Sequence, residues 1–431
     1  MKYFNKEFYR ISFKGFYSVA DQGIVSLTNF VTGWSVAYFC SKSEYGLYVL
    51  AFSLILFCDG FRNSLVSSPL VVFLPRKNRE NSPNYIGSAT IMQSILSSFS
   101  SILFVFGAVI IFCLGDFELA STIITGIITM IGFTLREHLR RIFYAQLRIE
   151  RALIMDVVYA VIQGAGLAGL YHFDVLSVYN VLLSAALAHI ASVEFGLFLL
   201  RNEFSMKNME FRKEISNHWR IGKWVIASPI FFFFSGQFFP WILKITDGTE
   251  SAAILGVCMF PILFLRPLIT GISNTIAPRL SHKYAKEGYP AMHRLVIKYQ
   301  IIMFAIAVIF IPLLIFLSST ILDVLFGGKY TPYSHIFSVL TFPLLFTPMA
   351  MPLTESFLVM EKTHYQLAVT IIGVATSLTI GIFLVYYYGL LGAALAINLV
   401  AFISFAAALM CYRKIKHNVA KRSLNYGVDS L

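Results

Sequence analysis

Long apolar stretches alternate with short polar connections along almost the whole chain. Twelve stand out, at 16–39, 46–74, 86–114, 117–135, 152–172, 177–200, 223–246, 251–278, 299–322, 336–358, 365–388 and 390–411. A helix rises 1.5 Å per residue and the hydrocarbon core of a bilayer is ~30 Å thick, so about 20 apolar residues cross it. Each stretch approaches or exceeds that length, and the longer ones imply tilt. The pattern predicts an all-α integral membrane protein with twelve transmembrane helices. The longest inward connection divides them evenly. Residues 1–200 form an N-terminal six-helix lobe, 201–222 a cytoplasmic linker, 223–411 a C-terminal six-helix lobe and 412–431 a basic cytoplasmic tail.

Composition supports this reading. Of 431 residues, 57% are hydrophobic and 13% charged, far too apolar for a soluble chain of this size. The net charge of +12 is a topology signal. Twenty-nine of the 34 lysines and arginines lie in the N-terminal segment, in every second connection and in the C-terminal tail. Only Lys42, Lys244 and Lys329 lie on the other side. The excess of positive charge on cytoplasmic loops puts both termini in the cytoplasm. It also removes the reason to expect a nucleic-acid partner. The N-terminal MKYFNKEFYRISFKG is basic and amphipathic, and no small-residue cleavage site follows it, so no cleaved signal peptide is expected. The longest outward loop, 323–335, is too short for a folded domain. Five scattered cysteines show no ligand spacing. There is no HExxH, no glycine-rich phosphate loop and no Ser/His/Asp arrangement. The expectation is a non-enzyme without metal or cofactor.

Two arginines lie inside apolar segments. In CDGFRNSLVSSPLVVFLPR (Cys58–Arg76), Arg62 precedes Arg76 by fourteen residues, and in FLRPLITGISNTIAPR (Phe264–Arg279), Arg266 precedes Arg279 by thirteen. At 1.5 Å per residue each is roughly 20 Å from its cytoplasmic arginine, beyond easy snorkelling. A guanidinium at such depth costs at least ~2.5–3.5 kcal/mol and usually faces an interior cavity. Two at matching places suggest a repeated fold with a cationic chamber. Arg62 and Arg266 are therefore candidates to bind an anionic group such as pyrophosphate, which the planar guanidinium fork suits. The competing reading of Arg62 is a structural ion pair with Asp59, three residues earlier on the same helical face.

Polar stripes accompany them. Asp21, Gln22 and Asn29 run along the first segment, Asp59 and Asn63 flank Arg62, and Thr270 and Asn274 continue the face of Arg266. These are either helix-packing seams or the lining of a hydrated path. Among the remaining intramembrane acids, Asp156 reads as a partner for nearby basic residues. Glu194 and Glu355 are candidates to carry a coupling proton or ion, and His189 reads as a packed histidine.

Several local stretches, in order along the chain, resemble one known family. They are ADQGIVSLTNF (Ala20–Phe30), SEYGLYVLAF (Ser43–Phe52), REHLRRIFYAQLR (Arg136–Arg148), LFGGKY (Leu325–Tyr330) and YGLLGAALA (Tyr388–Ala396). With the length, the twelve segments and the inward termini, they resemble the polysaccharide or O-antigen flippases of the multidrug/oligosaccharidyl-lipid/polysaccharide exporter (MOP) superfamily. The resemblance implies two lobes related by a pseudo-two-fold axis around a central cavity. It implies alternating access that carries undecaprenyl-pyrophosphate-linked oligosaccharide across the bacterial inner membrane for O-antigen, lipopolysaccharide or other surface glycan. Glycosyltransferases and a polysaccharide polymerase would be partners, and transport would be coupled to a H⁺ or Na⁺ gradient or driven by substrate supply alone. Arg62 and Arg266 would take the pyrophosphate. A multidrug extruder of the same superfamily is the nearest alternative, but its mostly cationic substrates would favour acids over arginines. A membrane-embedded glycan polymerase or ligase would normally carry a large outward loop.

Overall fold

Helix-stopping residues punctuate the first part of the chain. α1 (Lys2–Phe39) ends just before Ser41, which starts α2 (Lys42–Arg62) with a capping box: the Glu44 N–H donates to Ser41 Oγ at 3.1 Å and the Ser41 N–H to Glu44 Oε2 at 3.0 Å. α2 passes through a π-helical turn, Asn63–Ser67, into α3 (Ser68–Phe73). α4 (Ser82–Cys113) follows. Asp116 then caps α5 (Phe117–Ala145) by accepting from the Leu119 N–H at 3.1 Å. α6 (Ile149–His172), α7 (Val178–Leu200, capped by Ser177) and the short amphipathic α8 (Phe211–Val225) complete the series. In this computed structural model the backbone is described for residues 2–78, 80–207, 209–262 and 266–425. Side chains are described for 17–78, 80–207, 209–223, 225–262, 276 and 279–418.

The chain forms two units, Met1–Ile230 and Phe231–Leu431. In the first, α5 is the central helix, packed against α2, α4, α6 and α7. Small residues allow the close approach. A Cβ on Gly132 would fall 2.7 Å from that of His189, and one on Gly196 would fall 2.5 Å from Met155 Sδ. Hydroxyls bind across the same seams: Thr129 Oγ1 donates to the Leu182 carbonyl and Ser192 Oγ to the Met155 carbonyl, both at 2.8 Å. α4 shows most of its surface outward, as a lipid-facing helix does.

From residue 227 onward the chain is more broken. Pro229, Pro240 and a π-helical turn at Phe233–Gln237 divide the expected span 223–246 into α9 (Ala227–Phe232) and α10 (Phe239–Thr246). α11 (Thr249–Met259) is followed by α12 (Arg266–Phe316), which kinks at Gly288, whose φ of 72° suits glycine. Then come α13 (Ser318–Phe326), α14 (Ser334–Leu340), α15 (Pro343–Val359, with Pro348 and Pro352 inside), α16 (Thr363–Thr376), a third π turn at Ser377–Gly381, and α17 (Ile382–Asn425). The core of the second unit joins α12, α15, α16 and α17 through Met292, Tyr299, Leu353, Phe357, Val369, Ala408 and Tyr412.

Among the described residues, eight helical stretches are long and apolar enough to cross a membrane, so this is a multi-pass membrane protein. Two of the boundaries that differ from the sequence expectation lie at charged residues. The span expected to end at 135 continues as helix to Ala145, and the expected connection 279–298 is helical within α12. In both places charged residues continue a helix that their charge seemed to end.

Candidate functional site

Arg62 stands at the last turn of α2, where the helix widens. The Ser68 N–H reaches back five residues to the Asn63 carbonyl. Pro69 has no N–H for the Leu65 carbonyl four residues before it. His218 of α8 takes its place: Nδ1 lies 3.1 Å from that carbonyl, and Nε2 lies 2.8 Å from the Tyr85 hydroxyl. The two contacts fix the tautomer, with Nδ1–H donating to Leu65 and Nε2 accepting from Tyr85. Lys77 and Glu214, 2.6 Å apart, close the same junction.

Within this turn Arg62 is buried, 2% exposed. Its Nε donates to Asp59 Oδ1 at 2.6 Å and its Nη1 to Ser67 Oγ at 2.5 Å. Of the two readings open in the sequence, the ion pair is formed. Asp59 is the more accessible partner, at 24% exposure, and half-buried Asn63 lies beside it.

A second charged group lies nearby, among α1, α5 and α6. Arg136, Arg140 and Tyr144 recur every four residues and so share one face of α5, with Glu137 beside them. Arg140 is the hub. Its Nη2 lies 2.7 Å from Asp21 Oδ2 on α1, its Nη1 2.7 Å from Glu137 Oε1, and its Nε 2.5 Å from Asp156 Oδ2 on α6. The Tyr144 hydroxyl also donates to Asp21 Oδ2, at 2.7 Å. Arg136 sits 3.1 Å from Glu137 and 3.4 Å from Asp156, and its guanidinium stacks 4.0 Å from the Tyr159 ring centroid. Asp21, Arg136 and Asp156 are fully buried. The contacts to Asp156 are charge contacts without hydrogen-bond alignment, and Asp21 Oδ1 has no hydrogen-bond partner.

Beyond Tyr159 the ring of His189 stacks at 4.4 Å and 6°. Both line an internal cavity of about 20 Å³, room for roughly one water, together with Asn29, Thr32, Tyr48 and Thr129. The packed histidine expected at 189 is thus found, and Asn29 faces this cavity. Gln22 and Glu194 are exposed on the surface of the unit. Glu355, in the second unit, is half-buried on α15 with no cationic partner among the described residues. The side chains of Arg266, Thr270 and Asn274 lie outside the described residues.

The group around Arg140 was only half visible in the sequence. Asp21 and Asp156 stood out as intramembrane acids, whereas Arg136, Glu137 and Arg140 read as part of a basic inward connection. Their spacing on one helical face, with two unpaired acids elsewhere, was the available signal.

No family model matches the chain. It is 22% identical over 373 residues to the capsular polysaccharide biosynthesis protein CapF of Staphylococcus aureus, covering 81% of this chain and 89% of that one. It is 25% identical over 243 residues to an O-antigen transporter of Shigella flexneri, a match spanning 54% and 55% of the two chains. Among solved structures, an inward-facing multidrug resistance MATE family transporter of the MOP superfamily aligns over 92% of this chain and 96% of its own, with a TM-score of 0.76 and 14% identity. This chain has the MOP-superfamily fold. A MOP transporter from Pyrococcus furiosus, described as having a binding pocket of reversed polarity, aligns with a TM-score of 0.62 at 15% identity, over 92% and 94% of the two chains. The two curated relatives bear out the resemblance to the polysaccharide flippases of the MOP superfamily.

Proposed function

We propose that this chain is a flippase that carries undecaprenyl-pyrophosphate-linked oligosaccharide across the bacterial inner membrane by alternating access, supplying surface-polysaccharide assembly. In this reading it crosses twelve times, six per half, with both termini in the cytoplasm, and it works beside glycosyltransferases and a polymerase. The observation that carries the reading is Arg62, a buried guanidinium held by one carboxylate and one hydroxyl. A pyrophosphate presents more oxygens in the same geometry and exchanges for Asp59 with the fork retained. Arg266 is its proposed counterpart in the second half. The names of the two relatives, for capsule and O-antigen, support the substrate class.

Coupling to a H⁺ or Na⁺ gradient is part of the same proposal. The group around Arg140 sets three carboxylates against two guanidiniums. One bound cation neutralises it, and we place that cation on Asp21 or Asp156. Glu194 and Glu355 are the alternative carriers.

The test is complementation of surface polysaccharide in a strain lacking the gene and any redundant flippase. Arg62→Gln should abolish polysaccharide and accumulate the lipid-linked intermediate at normal protein levels. The neutral pair Asp59→Asn/Arg62→Gln should stay inactive. Restored activity in the pair would reduce Arg62 to a structural partner of Asp59. An unaffected deletion strain would favour the multidrug extruder, the reading that the MATE fold neighbours keep open.

A further inference from the structure

α8 has one face that the first unit uses and another that it leaves outside. Glu214, His218 and Gly222 are buried against the Arg62 turn, and a Cβ on Gly222 would lie 3.0 Å from the Ser64 carbonyl. Next to this buried stripe, moving round the helix, come Ile215 and Trp219, exposed at 44% and 56%. Beyond them lie exposed Arg212 and Lys223, and furthest round lie Arg220 and Lys213. Lys213 pairs with Glu210 at 2.6 Å, whereas Arg212 and Arg220 have no carboxylate partner among the described residues. The only acid of the helix, Glu214, is turned inward to Lys77. With 15 residues, α8 is too short to cross a ~30 Å core. The order of chemistry around it, from protein contact to apolar to basic to open, matches the order met on leaving a bilayer sideways: acyl chains, headgroups, water.

We propose that α8 is a binding site for anionic phospholipid headgroups of the cytoplasmic leaflet. Arg212 and Lys223, about three turns apart on the helix, each take a headgroup phosphate, while Ile215 and Trp219 between them enter the acyl boundary beneath. The observation that selects this occupant is charge complementarity along an apolar edge. A soluble anion has no use for Ile215 and Trp219, and a neutral lipid has none for Arg212 and Lys223. Position gives the site weight, because the opposite face of the same helix holds the Leu65 carbonyl beside Arg62.

The test titrates the full-length protein in detergent with phosphatidylglycerol, phosphatidylcholine or glycerol 3-phosphate and follows the unfolding midpoint, which rises with ligand that binds the folded state. Phosphatidylglycerol should act at lower concentration than phosphatidylcholine, and glycerol 3-phosphate should have no effect. Arg212→Gln/Lys223→Gln should raise the half-saturating phosphatidylglycerol concentration by roughly twentyfold, leaving the phosphatidylcholine curve in place. Arg413→Gln/Lys414→Gln, on the basic end of α17, should change neither curve. Equal responses to both lipids in the wild type would overturn the proposal and leave the basic face to an acidic protein. So would a matching response to glycerol 3-phosphate, or an equal loss in the Arg413/Lys414 control.

Discussion

Arg140 is shared by three carboxylates on three helices, and its removal leaves all of them short of charge. Breaking a buried ion pair by deleting one partner costs about 3–5 kcal/mol, because the remaining charge stays desolvated. Arg140→Met should therefore lower the midpoint of thermal unfolding steeply or prevent accumulation of folded protein. Asp21→Asn keeps an acceptor for Arg140 and Tyr144 and should cost much less. A size-exclusion thermal-stability assay separates the two, and equal stability of both variants would show that the group contributes no net structure. This is also where sequence reading met its limit. Asp21 and Asp156 were legible as residues out of place in apolar helices, because such charges are rare at depth. Asp156 was expected to pair with nearby basic residues, and it meets Arg136 and Arg140. The partner of Asp21 was not legible, because REHLRR looks like the end of a span. Only folding brings residue 21 against residue 140. The stretches that carried the family resemblance, ADQG and REHLRRIFYA, turn out to supply Asp21, Arg136, Glu137, Arg140 and Tyr144.

At the level of the element, the junction of α8 with the widened end of α2 depends on one histidine. Loss of the donor to the Leu65 carbonyl leaves a buried acceptor unsatisfied, at about 1–3 kcal/mol. His218→Leu should show that loss, while His218→Asn, which keeps an N–H at the equivalent position, should show little of it. The same residue sets a pH dependence. Burial holds the His218 imidazole below its ordinary pKa, reinforced by Lys77 and opposed by the Leu65 hydrogen bond and by Glu214. For a base whose folded value is depressed, the unfolded chain binds more protons in the window just below the ordinary value. Stability therefore rises with pH through that window and is lost as pH falls through it. The unfolding midpoint of the wild type should drop between pH 7.5 and 5.5 (roughly one unit either side of the ordinary ~6.5). The drop should be smaller in His218→Asn, and equal drops would assign the titration elsewhere. Helix existence was legible here from apolar runs, and α8 was the exception. Its pattern was hidden inside a polar linker, because an amphipathic helix of 15 residues raises no hydropathy signal.

Across the whole molecule, the multi-pass helical architecture followed from composition and run length alone. What those signals could not supply was where the helices break. Prolines and π turns interrupt the second unit at places where hydropathy stays high. The names of the two curated relatives, for capsule and O-antigen, agree with the substrate class of the proposal, while a solved fold neighbour is a multidrug resistance transporter of the same fold. The most direct measurement is translocation by the purified protein in proteoliposomes, using undecaprenyl-pyrophosphate-linked oligosaccharide in one leaflet and a membrane-impermeant glycosidase or lectin on the other side. Accelerated appearance of the glycolipid, lost in Arg62→Gln and absent for a cationic dye, is the predicted result. Transport of the dye with no movement of the glycolipid, by protein of normal stability, would contradict it.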